Sequence, residues 1–144
     1  MIEKDTVRLL RECDAGLNMG VKSINTCLGY ARDDKLKAAL KECKRRHNGL
    51  SAEIRQMLHS VSDTGKGAKP LISCMSSIKT NMALTVNPTD KKVADVIWDG
   101  CSMGVKSLTK YLNQYSRASE EAKDVTKKLI KEEEELAEKM KGYL

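Results

Sequence analysis

At 144 residues and 16.0 kDa the chain has the length of one domain, enough to bury a core without disulfides or metal to staple it. Hydrophobic residues make up 40% and charged residues 32%, a balance that excludes both an intrinsically disordered chain and a membrane-embedded one. One Trp, four Tyr, no Phe and two Pro disfavour a β-sandwich or barrel and favour helices, while a formal charge of +6 permits an anionic partner without requiring one.

From Val7 to Leu28 the apolar positions Leu10, Cys13, Leu17, Val21, Ile24 and Leu28 recur in steps of three and four, which predicts an amphipathic helix. A break follows at Ala31–Asp34, where Asp33 or Asp34 can cap the next helix. The second helix carries the seam Leu36, Leu40, Cys43, His47, Leu50, Ile54, Met57 and Val61, a pattern of helices packed side by side. Ser62–Lys69 is a polar linker with glycines, and Pro70 suits the first turn of a short helix running to about Leu84. Asn87 and Pro88 form a second start signal, as N-cap and first helical residue. The helix they open reaches about Tyr115 with Val93, Ile97, Cys101, Gly104, Leu108, Tyr111 and Tyr115 on one face. Ser119 can cap the last helix, which runs through Val125, Leu129, Glu133, Leu136, Met140 and Tyr143.

The two halves repeat. Met19–Ser23 and Met103–Ser107 both read MGVKS at an offset of 84, where Gly16 also matches Gly100, Ile24 matches Leu108 and Leu28 matches Leu112. Beyond the turns the offset becomes 86, so that Leu50 falls on Leu136, Ile54 on Met140 and Leu58 on Leu144. The expectation is one all-α domain over residues 1–144, built as a helical hairpin used twice: hairpin one over about 4–61, a crossover over 62–89, and hairpin two over about 90–144. Two hairpins joined by one long crossover with a short extra helix make a ferritin-like four-helix bundle.

Shorter signatures point the same way. Asp14–Ala15–Gly16, Arg46–His47 followed by Leu50 and Glu53, and Gly100 followed by MGVKSL resemble a bacterial ferritin-like family, a four-helix domain of unknown function. The resemblance spans nearly the whole chain, and its motifs are short and mostly concern packing. It implies a fold and no activity.

Ferritin-like proteins that work with iron place six ligands in the core: a Glu from each of two helices and a Glu-x-x-His pair from each of the others. Here the only histidines are His47 and His59, preceded three residues earlier by Lys44 and Gln56, so that ligand set is absent and no cofactor is expected. His47 and Glu133 are polar residues on apolar seams, at positions equivalent under the offset of 86. Leu17, Val21, Cys101 and Gly104 are their inward neighbours. The favoured expectation is a buried His47–Glu133 hydrogen bond, because a core charge must find a partner. The alternative is a single metal held by His47, Glu133 and Cys101. Cys43 and His47, at i and i+4, make the only Cys–His pair that could serve nucleophilic catalysis, and a packed seam favours a core role for it. No nucleophile elbow, phosphate loop or zinc-protease motif occurs, so the expectation is a protein that is not an enzyme. Gly16/Gly20 and Gly100/Gly104 read best as sites of close backbone approach, with a ligand groove as the alternative, and the methionines read as core filling.

Five cysteines, an odd number with no CxxC, argue against a disulfide framework or zinc cluster and for small core residues. The charged N-terminus lacks the apolar stretch of a signal peptide and no apolar run is long enough to cross a membrane, so a cytoplasmic, reduced protein is expected. The basic stretch Lys35–Arg46 has no interleaved aromatics to stack bases, which disfavours nucleic acid as a partner. What remains is a non-enzymatic bundle acting through a protein partner or self-association; the alternative is a metal-binding or degenerate metal protein of the ferritin-like kind.

Overall fold

The computed structural model describes residues 2–61 and 89–144. Among these residues there are four α-helices and no strand: α1 (Ile2–Leu28), α2 (Asp34–Ser60), α3 (Asp90–Gln114) and α4 (Glu120–Met140), the last continuing into a 3-10 turn over Lys141–Tyr143. The expected linker Ser62–Lys69, the short helix Pro70–Leu84 and the Asn87–Pro88 start signal lie outside the described residues.

Side-chain caps start three of the helices. Asp33 and Ser119, both in extended backbone, accept the N–H groups of Leu36 at 2.9 Å and Ala122 at 3.2 Å. The start of α3 differs from expectation. Thr89, not Asn87, is the N-cap: its hydroxyl accepts Lys92 N–H at 3.2 Å, and the helix begins at Asp90. A cap oxygen serves the N–H three residues on, and the Thr–Asp step supplies both that oxygen and an acid in the first turn.

The helices pair as two hairpins, α1 with α2 and α3 with α4, and each interhelical turn is tied to the start of the other hairpin. Arg32 and Asp33 in the first turn donate their N–H groups to the Asp90 carboxylate at 2.7 and 3.0 Å. In the second turn Arg117 N–H donates to Asp5 at 3.1 Å and Ser119 N–H to the Thr6 hydroxyl at 2.8 Å. These ties set the directions of the helices. α1 runs antiparallel to α3, α2 runs parallel to α3, and α2 ends at the opposite end of the bundle from the one where α3 begins.

The core is split in two. One cluster gathers Ile24, Cys27, Leu36, Leu40, Cys43, Val93, Ile97, Cys101, Leu136 and Met140. The other gathers Leu9, Leu10, Leu17, Leu50, Ile54, Leu58, Leu108, Val125 and Leu129. Burial of each large aliphatic side chain stabilises the fold by about 1.5–3 kcal/mol. Between the clusters each helix contributes one non-aliphatic residue: Gly20 between Leu17 and Ile24, His47 between Cys43 and Leu50, Gly104 between Cys101 and Leu108, and Glu133 between Leu129 and Leu136. These four residues form a waist.

Three register expectations change. In α1 the inward position is Gly20, with Val21 only half-buried, because the seam steps 17–20–24–27 rather than 17–21–24–28. In α2 the last inward residue is Leu58, not Met57 or Val61, since a step of four from Ile54 keeps the apolar face on the core. Leu58 and Leu144 are not equivalent: Leu58 is buried and Leu144 is 50% exposed, because α4 gives way to the 3-10 turn after Met140.

Candidate functional site

His47 is 1% exposed, and both of its ring nitrogens meet carboxylates. Nε2 lies 2.8 Å from Glu133 Oε1, and Nδ1 lies 3.0 Å from Glu132 Oε2. An ionised carboxylate can only accept, so both nitrogens donate and the ring is an imidazolium. Burial alone would lower its pKa, but hydrogen bonds with Cys43, Glu132 and Glu133 outweigh that and push it up to about 12. The expected His47–Glu133 contact is present. Glu132 was not anticipated, because a run of four glutamates reads as a solvated face. Glu132 and Glu133 are both spaced three or four residues from Leu129 and Leu136, so periodicity selects neither.

The candidate metal ligands His47, Glu133 and Cys101 sit at one level. Cys101 is buried, and its thiol pKa is raised by burial and by the neighbouring Glu133 charge. Cys43 Sγ lies 3.6 Å from His47 Nδ1. Among the described residues, no group of three or more His, Cys, Asp or Glu side chains is arranged to hold a metal ion. His47 has no lone pair to offer while both nitrogens donate.

Above the waist, between α1 and α3, a cleft of about 330 Å³ opens. His47, Glu133 and Cys101 line its floor, and Ile24, Ile97, Leu108 and Leu136 supply apolar walls. Its other lining residues include four pairs that match at the offset of 84: Gly16 and Gly100, Met19 and Met103, Gly20 and Gly104, Ser23 and Ser107. At one side Glu12 hydrogen-bonds Tyr111, and burial raises the pKa of both groups.

This cleft overturns the close-approach expectation for the glycines. A Cβ at Gly16 or Gly100 would meet nothing within 4 Å. At Gly20 it would meet the His47 ring at 3.1 Å, and at Gly104 it would meet Glu133 Oε2 at 3.3 Å. The glycines therefore make room for the polar pair and for open space rather than for a neighbouring backbone. Met103 also departs from its expected core-filling role: it is 47% exposed, beside the cleft.

Elsewhere the site-like features are quiet. Cys13, Cys27, Cys43 and Cys101 are buried free thiols, as expected for small core residues, and Cys74 lies outside the described residues. Burial holds Cys13 up at about 12 and Cys27 at about 11. In the basic stretch, Arg45 and Arg46 are engaged by Glu42 at 2.6 and 3.2 Å, and Arg46 also by Glu135 at 3.0 Å. His59 is exposed near the end of α2, away from the waist. No described helix is long and apolar enough to cross a membrane.

No protein-family model matches this chain, and no curated protein or solved structure is significantly similar to it.

Proposed function

We propose that this chain is a non-enzymatic helical bundle that works by binding, with the cleft between α1 and α3 as its working surface. The cleft carries the proposal: it has the size of a small-molecule site, mostly apolar walls and a few polar groups converging on its floor. The chemistry of the floor supports binding rather than catalysis. His47 already holds a proton on each nitrogen and cannot act as a general base near neutral pH, and burial beside the Glu133 charge keeps the Cys101 thiol protonated. A protein partner or a second copy of the chain is the broader form of the same proposal. Among the described residues Met103 and Leu144 are the exposed large hydrophobics, and Met103 lines the cleft, which gives such a partner an apolar contact at its rim.

We also assign the bundle a ferritin-like, duplicated arrangement. Its supports are the opposite ends at which α2 stops and α3 starts, which residues 62–88 must join, and the paired positions that line the cleft. The metal-binding alternative requires His47 to shed a proton and release a carboxylate, so the hydrogen-bonded geometry disfavours it.

Amide shift mapping with the neutral probe 4-phenylbutanol tests the cleft. Saturable shifts should cluster along Ala15–Ser23 and Gly100–Ser107 and disappear in Gly100→Leu, whose side chain has open space to fill. Binding that survives Gly100→Leu would remove the cleft from the proposal. Stoichiometric metal in protein purified without added metal, lost in His47→Ala, would put the metal reading first.

A further inference from the structure

The chain is basic overall, but the residues that line its cleft are not. Glu12, Asp99 and Glu133 line it, and among the described residues no Lys or Arg does. His47 is the one cation at the floor, and it is matched by two carboxylates, Glu132 and Glu133, so that group carries a net negative charge. Glu133 Oε1 faces His47, whereas Oε2 lies toward the Gly104 position on the cleft side. A cavity with apolar walls and one sign of charge concentrates ligands of the opposite sign, because low-dielectric walls focus the field. Met103 adds a soft, polarisable contact beside it, suited to an adaptable hydrophobic body.

We infer that the cleft selects a small organic cation, an apolar body of roughly ten to fifteen heavy atoms bearing one ammonium group. The ammonium sits toward Glu133 at the middle of the cleft, Glu12 and Asp99 on opposite sides of the waist add to the negative field along it, and the apolar body lies along the aliphatic walls. A free anion or a phosphate ester is excluded by the same charges. The inference rests on the cleft being the binding surface, and the experiment separates the two.

Three probes share one body and differ in charge: 4-phenylbutylamine, 4-phenylbutanol and 4-phenylbutyrate, titrated calorimetrically into the full chain at pH 7.5. The amine should bind roughly tenfold more tightly than the alcohol, and the acid more weakly than either. The preference for the amine should shrink with added salt and fall to roughly twofold in Glu12→Gln/Asp99→Asn. That double variant removes acids away from the buried waist. Glu133→Gln should weaken the preference as well, and its circular dichroism reports whether the waist still folds. Equal binding of amine and alcohol would overturn the charge selection and leave the cleft standing. Failure of all three probes would overturn the cleft itself, because its volume would then be occupied by the chain or closed in solution. Tightest binding by the acid would overturn the inference outright.

Discussion

His47 is held by geometry that leaves it little freedom. Two carboxylates pin the ring from both sides, and Gly20 leaves just enough space for its Cδ2 edge. Removing one carboxylate leaves a buried imidazolium with a single carboxylate partner. Glu133→Ala should therefore cost about 2–3 kcal/mol, less than the roughly 3–5 kcal/mol of a fully broken buried pair because Glu132 remains. Glu134 is exposed, and Glu134→Ala should change stability by less than about 0.5 kcal/mol. Urea unfolding of the two variants measures the difference, and equal losses would mean that the His47–Glu133 bond contributes nothing. The glycines provide a second contrast. Gly20→Ala pushes a methyl into the pinned ring and should destabilise, whereas Gly16→Ala meets open space and should gain about 1 kcal/mol of helix propensity. A Gly20→Ala protein that melts no lower than wild type would show that the ring can yield.

At the scale of the helices, the caps and the crossed ties decide how the hairpins meet. Asp90 accepts two turn N–H groups from Arg32 and Asp33 while standing in the first turn of α3. Asp90→Ala should lose about 1–2 kcal/mol, since both donors then have only water as a partner and the favourable charge near the helix start is gone. Amide exchange at Arg32 and Asp33 should accelerate selectively. Uniform acceleration across α1 and α2 would instead mean that the tie holds up the whole hairpin. The helices themselves were legible in the residues because seams of Leu, Ile, Val and Cys at steps of three and four have one physical outcome, burial of that face. The cap at Ser119 was legible for a similar reason, since a hydroxyl at that break has free N–H groups to serve. The start of α3 was less so: Asn87, Thr89 and Asp90 are all competent acceptors, and only the path of the chain chooses among them.

For the whole molecule, a charged waist between two apolar clusters couples stability to pH. The His47 pKa is raised from 6.5 to about 12 in the folded chain. Its contribution is fully present below pH 6.5 and declines as pH climbs toward 12, because the unfolded ring has then already lost its proton. Between about pH 7 and 8.5 the unfolding free energy should fall by up to about 1.4 kcal/mol per pH unit. Toward the upper end of that window the unfolded thiols begin to ionise, and because burial raises their pKa values in the folded chain they add to the slope in the same direction, in wild type and variant alike. His47→Gln should flatten the slope in urea midpoints measured across that window. An unchanged slope would assign it to another group.

The sequence by itself determined the described helices, the Ser119 cap and the burial of the four described cysteines, because each follows from periodicity or from a local donor meeting a local acceptor. The His47–Glu133 contact was legible through the match of the two halves at an offset of 86. Only the tertiary structure decided that Glu132 completes the ring's partners, that Gly20 rather than Val21 faces inward, and that the glycine pairs open a cleft instead of closing one. A glycine is compatible equally with contact and with space. Which of the two it serves depends on how far apart the two bundled helices stand, and here a pinned imidazolium and its carboxylates fill the waist between them.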